Sequence, residues 1–285
     1  MKIIHISDTH VGKADNAAKF DCVVQDIRSL LDDADDYLVV HTGDLLDHEA
    51  PTATPSGLGI LDALSGRATS ARALPVLLCP GNHDYGNARH IGRDHAERFC
   101  AAYASYIFGD QPRRFPVVQV FGNCAFIGLD SSQAELSWWT GAFAEGRLGR
   151  EQIQGLAEIL DKAEIKNCYK VVYLHHHPFA NSRLVRPRIG DERYFKKLFN
   201  WCFRRFIRLK DADALLHCIR DRVDLLLFGH KHYGMDHSDE AARYGIPLAL
   251  DASSTTRDGM DGEPMRYRIV DTGTGRVDCR LVTTG

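Results

Sequence analysis

Five short apolar runs in this chain each end in a cluster of metal-binding side-chain types. The runs are Lys2–Ser7, Tyr37–His41, Pro75–Cys79, Tyr169–Leu174 and Val223–Phe228. The clusters that follow them are Asp8-Thr9-His10, Gly43-Asp44-Leu45-Leu46-Asp47, Gly81-Asn82-His83-Asp84, His175-His176-His177-Pro178 and Gly229-His230-Lys231-His232. Runs of this length and β-branched character, bounded by turn residues, read as strands. Helix-like segments over roughly 14–31 and 54–72 separate the first three runs, so the chain alternates strand and helix. That order implies right-handed βαβ crossovers and a largely parallel first sheet, whose carboxyl edge gathers the polar clusters. One Asp-x-His would mean little, but five clusters in series describe one shared site.

Further along, a helical stretch over about 95–106 precedes two strands, Pro116–Phe121 and Cys124–Leu129, and their Gly122-Asn123 connection favours a hairpin. A helix over about 150–163 leads to the fourth cluster, and strand-like segments Pro247–Leu250, Arg266–Val270 and Val277–Val282 close the chain. No repeat, low-complexity tract or linker divides the 285 residues, which at 44% hydrophobic suffice for one large core, so 1–285 reads as a single domain. The formal net charge of −3 excludes a global basic field of the kind that drives nonspecific nucleic-acid binding. Eight cysteines stand singly, without a Cys-x-x-Cys pair, and read as core thiols of a reducing compartment. The apolar run at the N-terminus is too short and polar for a signal-peptide core, and no stretch approaches the ~20 apolar residues of a membrane span. The expectation is a cytoplasmic protein.

In an extended segment residues i and i+2 share a side, so Asp8 with His10, and His230 with His232, each turn two ligands toward one centre. Imidazoles and an amide oxygen suit Mn, Fe, Zn or Co better than Mg or Ca. With Asp8 and Asp44 as the only carboxylate ligands, two divalent ions and a bridging hydroxide leave a residual charge of about +1, which attracts an anion such as a phosphate ester. Ions about 3.5 to 4 Å apart activate water and clamp the attacking and leaving oxygens of an in-line displacement.

The ordered series D-x-H, G-D-x-x-D, G-N-H-D, H-x-P and G-H-x-H over residues 8 to 232 resembles the calcineurin-like metallophosphoesterases. The resemblance implies an α/β fold, a four-layer α/β/β/α sandwich of two mixed β-sheets flanked by helices. It implies two divalent or trivalent transition-metal ions, one held by Asp8, His10, Asp44 and His232 and the other by Asp44, Asn82, His176 and His230, with Asp44 bridging. Spacing alone leaves His175, His176 and His177 open; His176 is favoured because the family's ligand stands two before proline. His83 is implied as the catalytic residue facing substrate and Asp84 as the carboxylate that orients a histidine. The implied reaction is phosphoester hydrolysis by attack of a metal-bridging hydroxide. The His-His-Pro element, the length and the segment Gly146-Arg147-Leu148-Gly149-Arg150-Glu151-Gln152-Ile153 resemble the bacterial class III cyclic-nucleotide and glycerophosphodiester phosphodiesterases. A phosphodiester, with a cyclic nucleotide among the candidates, is therefore the favoured substrate. The rivals are a phosphomonoesterase or protein phosphatase, and a nuclease; nucleic acid is the less favoured partner.

The segment between the fourth and fifth clusters, about 179–222, reads as a basic helical insertion. From Asn181 to Arg222 it carries twelve Lys or Arg against five Asp or Glu, and apolar residues recur at helical spacing over Tyr194–Leu209. It is expected to be a solvated cap helix, a lid whose Arg183, Arg186 and Arg188 bind substrate phosphate, or a dimer or membrane-peripheral surface. Of the remaining polar residues, Asp47 reads as a prop for its loop or for His10, and His5 and His41 as satisfied core histidines. Asp130-Ser131-Ser132 reads as an architectural turn, Trp138-Trp139 as a packed pair, and His48, His90, His95, His217 and His237 as surface residues.

Overall fold

Val39 and Val40 point to opposite sides of one strand and both are fully buried, so that strand must be covered on both faces. The computed structural model describes residues 1–31, 35–47, 53–67, 72–86, 93–132, 146–179, 209–257 and 263–283. It shows how the covering is achieved. In chain order the elements are β1 (Lys2–Ile6), α1 (Asn16–Leu30), β2 (Tyr37–His41), α2 (Ala53–Ser65), β3 (Val76–Leu78), α3 (Arg93–Ala102), α4 (Ala104–Ile107), β4 (Val117–Phe121) and β5 (Cys124–Gly128). There follow α5 (Arg150–Asp161), α6 (Ala163–Lys166), β6 (Tyr169–Tyr173), α7 (Ala212–Cys218), β7 (Leu225–Phe228), α8 (Ser238–Ala241), β8 (Leu248–Asp251), β9 (Met265–Asp271) and β10 (Val277–Val282).

They form two five-stranded sheets, ordered β10-β9-β1-β2-β3 and β4-β5-β6-β7-β8. Strands β1, β2 and β3 are parallel, as the alternation of strand and helix requires, while β9 and β10 complete that sheet antiparallel. In the second sheet β5 to β8 run parallel and β4 pairs antiparallel with β5 through a two-residue turn, Phe121 opposite Cys124. Both sheets are mixed.

The two-residue period of each strand sorts its side chains between two cores. Ile3, Leu38, Val40 and Leu77 of the first sheet meet Phe126, Val171, Tyr173, Leu225 and Leu227 of the second in a layer between the sheets. The alternate residues of the first sheet, Ile4, Ile6, Val39 and Leu78, pack against Phe20 and Ile27 of α1, Leu61 of α2 and Phe99 of α3. Those of the second, Ala125, Ile127, Val172 and Leu226, pack against Leu156 of α5, Ile165 of α6 and Leu215 of α7. The result is the expected four-layer α/β/β/α sandwich. Because both faces of the central strands are buried, they read as continuous apolar runs rather than as alternating ones.

Among the described residues, no helix is long and apolar enough to cross a membrane. The seven described cysteines are free thiols. The expected helix over Tyr194–Leu209, nearly all of it, lies outside the described residues, as do Arg183, Arg186, Arg188 and the Trp138-Trp139 pair.

Phe126 is fully buried between the sheets. Phe126→Ala is expected to destabilise the fold by about 3–5 kcal/mol, read as a lowered urea midpoint at similar slope; a midpoint unchanged from the native protein would contradict the two-sheet packing.

Candidate metal centre

Each of the five clusters begins within three residues of a strand's carboxyl end, and the two sheets bring these ends together. The backbone then turns sharply. Asp8, His10, Asp44, His230 and His232 all have positive φ, between 47° and 74°, and they are five of the nine such non-glycine residues described. L-residues reach this region only at a cost, and a concentration of them marks a site that the surroundings force into shape. The convergence of Asp8 with His10 therefore comes from left-handed turns. The alternation of an extended strand, expected from the sequence, is not what brings them together.

The surroundings that hold those turns are specific. The loop carrying Asp8 and His10 pairs with that of Asp44 through Asp8 N–H to Gly43 O at 3.0 Å and His10 N–H to Asp44 O at 3.1 Å. Hydroxyls following β8 clamp the same loop, Ser254 Oγ donating to Asp8 O at 2.9 Å and Thr256 Oγ1 to Thr9 O at 3.0 Å. Two glycines allow the close approach. A Cβ at Gly81 would collide with the amide and carboxylate of Asp44, and one at Gly229 with Ser7 Oγ and the Asp8 carboxylate.

Three overlapping groups of potential ligands result: Asp8, His10 and His232; His10, Asp44 and His83; and Asp44, His175 and His230, each with its ligand atoms within 4.8 Å of one another. Asp44 Oδ2 lies 3.2 Å from His175 Nε2 and 4.0 Å from His10 Nε2, so it stands between the first and third groups. Asn82 Oδ1 is 3.1 Å from both His175 Nε2 and His230 Nδ1. His232 Nε2 lies 3.1 Å from Asp8 Oδ1. Ring nitrogens face one another across both halves, His10 Nε2 to His232 Nε2 at 3.3 Å and His175 Nε2 to His230 Nδ1 at 3.2 Å. His10 Nδ1 and His230 Nε2 are buried without a hydrogen-bond partner. Imidazole nitrogens, two carboxylates and an amide oxygen, this crowded and this deeply buried, fit a pair of transition-metal ions.

The electrostatics point the same way. Burial opposes charge on Asp44, yet His175 and His83 outweigh it and hold the carboxyl well below its usual range. Burial likewise opposes charge on His175, yet Asp44 raises it to about 10. Burial pushes His10 down to about 4 and His230 well below the ordinary imidazole value, which keeps their lone pairs available as ligands. Buried carboxylates that draw a proton onto a neighbouring imidazole will draw a metal cation to the same place.

The His-His-His element departs from the sequence expectation. His175, not His176, joins Asp44, Asn82 and His230. Its Nδ1 donates to Thr42 O at 2.7 Å, which leaves Nε2 to face the cluster, an arrangement typical of metal-ligating histidines. His176 instead sets its Nδ1 2.9 Å from Ser131 Oγ, while its own N–H donates to that oxygen at 3.1 Å. His177 turns away toward His237. Strand β6 ends at Tyr173, so the two-residue period does not extend through 175–177, and the three rings take three directions.

His83 and Asp84 also divide. His83 sits on the rim with its side chain 38% exposed, its ring 4.8 Å from that of His10. Its Nδ1 donates to Asp47 O at 2.8 Å, and its backbone N–H to Asp44 Oδ1 at 2.8 Å. Burial pulls its pKa down, but Asp44 and Asp47 raise it overall. Asp84, expected to orient a histidine, accepts two backbone amides instead: Leu46 N–H at 2.9 Å and Gly81 N–H at 2.8 Å. It ties the second cluster to the third, and burial followed by Asp44 raises its carboxyl to about 7. Asp47 lies 3.8 Å from both His10 Nδ1 and His83 Nδ1, the propping position expected of it. His41 accepts Gly43 N–H at Nδ1 and donates from Nε2 to Thr9 Oγ1, a satisfied core residue. The sequence reading missed Ser254 and Thr256; the run Ser253-Ser254-Thr255-Thr256 just after β8 was their signal. It also missed His237, which is buried rather than on the surface.

Residues 1–234 match the family described as calcineurin-like phosphoesterase. No curated protein matches the chain significantly. Solved structures with similar folds include the NAD nucleotidase of Haemophilus influenzae, at 12% identity and a TM-score of 0.49 over 99% of this chain and 49% of that one. This chain thus spans about half the length of that relative. Others are a metallophosphoesterase from Sphaerobacter thermophilus (13% identity, TM-score 0.41, 100% of this chain and 89% of that one) and an archaeal phosphodiesterase (10%, 0.42, 99% and 100%).

The two histidines are separable by substitution. His175→Ala is expected to lower bound metal by about one ion per chain, whereas His176→Ala leaves it unchanged, both measured by elemental analysis of purified protein. The reverse result would restore His176 as the ligand.

Proposed function

Because the chain belongs to the calcineurin-like phosphoesterase family, which uses a dinuclear metal site, we propose that it hydrolyses a phosphodiester. In this reading Asp8, His10, Asp44 and His232 hold one ion and Asp44, Asn82, His175 and His230 the other, with Asp44 shared. Bound there, two such ions supply an activated water at neutral pH and clamp the attacking and leaving oxygens.

The observation that carries the diester reading is the scarcity of carboxylates. Among the seven proposed ligands only Asp8 and Asp44 are acidic, so with two divalent ions and a hydroxide the loaded centre would keep a charge of about +1. A monoanionic diester neutralises that charge, whereas a dianionic monoester overshoots it. Nucleotide esters, cyclic ones included, belong to the class that fits.

The chain's own residues divide the remaining work. His83, exposed at the rim beside His10 and held toward its protonated form by Asp44 and Asp47, is placed to stabilise the phosphoryl oxygens or protonate the leaving oxygen. Asp84 holds the loops of Asp44 and Asn82 in register through the amides of Leu46 and Gly81. It acts as a positioning residue.

His83→Ala should lower kcat by roughly 10²–10³-fold without loss of bound metal, as read by steady-state kinetics beside elemental analysis; an unchanged kcat removes His83 from the reaction. Chelation should abolish turnover and added Mn²⁺ or Zn²⁺ restore it. Bis(p-nitrophenyl) phosphate should be hydrolysed in preference to p-nitrophenyl phosphate, and a clear preference for the monoester would make the chain a phosphatase.

A further inference from the structure

His177, the third histidine of the run, takes no part in the paired centre, and its surroundings form a second cluster. A ring nitrogen each from His177 and His237 and a carboxylate oxygen of Asp251 lie within 4.8 Å of one another. All three residues are buried, at 0%, 4% and 0% exposure. His177 Nε2 and His237 Nε2 are 3.1 Å apart. The other ring nitrogens are spoken for: His177 Nδ1 lies 2.9 Å from Phe179 O and His237 Nδ1 lies 3.2 Å from Glu240 Oε2. A carbonyl and a carboxylate only accept, so both Nδ1 atoms carry the hydrogen, and with both rings neutral both Nε2 atoms present lone pairs.

Two lone pairs set face to face in a buried site repel unless a cation lies between them, either a proton carried by His237 against Glu240 or a metal ion shared by both rings. The rival arrangement has His177 Nδ1 accepting the Phe179 N–H at 3.2 Å and Nε2 donating to His237. It would press the Nδ1 lone pair against the nearer Phe179 carbonyl. A second, independent observation concerns Asp251. Its Oδ1 accepts Ser253 N–H at 2.8 Å, but its Oδ2 is buried without any hydrogen-bond partner. A buried carboxylate oxygen left unpaired is costly, and an ion or a water is what commonly satisfies one; here two histidine nitrogens lie within 4.8 Å.

From these contacts we propose that His177, His237 and Asp251 form a third metal site, separate from the paired centre, for a divalent ion of the zinc type. Two nitrogens bound at about 2.0–2.1 Å with tetrahedral angles stand about 3.3 Å apart, close to the spacing seen here. Each histidine has the second partner that metal-bound imidazoles typically have, a carbonyl for His177 and a carboxylate for His237. Aromatic rings fix their orientation: Phe179 stacks on His237 at 5.7 Å and Phe228 meets His177 edge-on at 4.7 Å. His177 follows β6, His237 immediately precedes α8 and Asp251 ends β8, while β7 lies between β6 and β8 in the sheet. The ion would thus join the tips of two strands across a third, a structural role.

The test is zinc stoichiometry on the full chain, stripped by chelator, reloaded with Zn²⁺ and freed of excess. The native protein should hold three ions and His237→Gln two. A paired-centre variant, Asp44→Asn with His230→Gln, should still hold one, and should give the strong visible absorption of four-coordinate Co²⁺ when cobalt replaces zinc. Circular dichroism establishes that each variant is folded; if His237→Gln is not, the paired-centre variant and Asp251→Asn decide. Two ions in the native protein, an unchanged count in folded His237→Gln, or no ion in the folded paired-centre variant would each overturn the proposal. The site is independent of the substrate reading, since it is scored without turnover.

Discussion

Everything at the seam of this protein depends on the Asp44 carboxylate. It is almost wholly buried where a turn after β2 meets the ends of β6 and β7, with His175 on one side, His10 on the other and the His83 amide against its second oxygen. A buried carboxylate must be hydrogen-bonded and charge-compensated or it unfolds its surroundings. The structure supplies the compensation from the other sheet: His175 faces Asp44 with one nitrogen and donates to Thr42 O with the other. The two sheets are therefore coupled twice, by the apolar layer between their faces and by a polar contact at their carboxyl edges.

That coupling explains why the loops take conformations that their residue types resist. Left-handed backbone at Asp8, His10, Asp44, His230 and His232 aims short side chains inward from loops belonging to different strands. The cost is met by neighbours that leave little choice: the backbone pairing of the first two loops, the hydroxyls of Ser254 and Thr256, and Asp84 spanning Leu46 and Gly81. Even the glycines of the third and fifth clusters serve this end, because the carboxylates of Asp44 and Asp8 occupy the space a Cβ would need.

Much of this was legible in the residues. The parallel core of the first sheet, the β4–β5 hairpin and the collection of ligands at one edge follow from apolar runs, turn residues and chain order. What was not legible is local geometry beyond the last paired residue of a strand. His175, His176 and His177 are chemically identical and follow the end of β6, so their directions are set by Thr42, Ser131 and His237, partners contributed by distant parts of the chain. Asp84 carries a motif position that suggests work on a histidine, yet two amides lie nearer. His237 and Asp251 belong to no motif; they come together because the segment before α8 pairs with β8, His237 N–H to Ala249 O and Asp251 N–H to Met235 O, and they meet His177 only because β6 and β8 flank β7.

The paired centre also has a temporal meaning. Asp8 accepts the amide of His230 from 222 residues away, and His175 meets Asn82 across 93. Contacts so distant in sequence carry the heaviest loop-closure entropy. While the chain is being made, its first three clusters emerge long before the last, and they can trap an ion only in part. Full coordination thus requires both sheets: the first three clusters follow β1, β2 and β3 of one, and the last two follow β6 and β7 of the other, so neither sheet alone holds a complete centre.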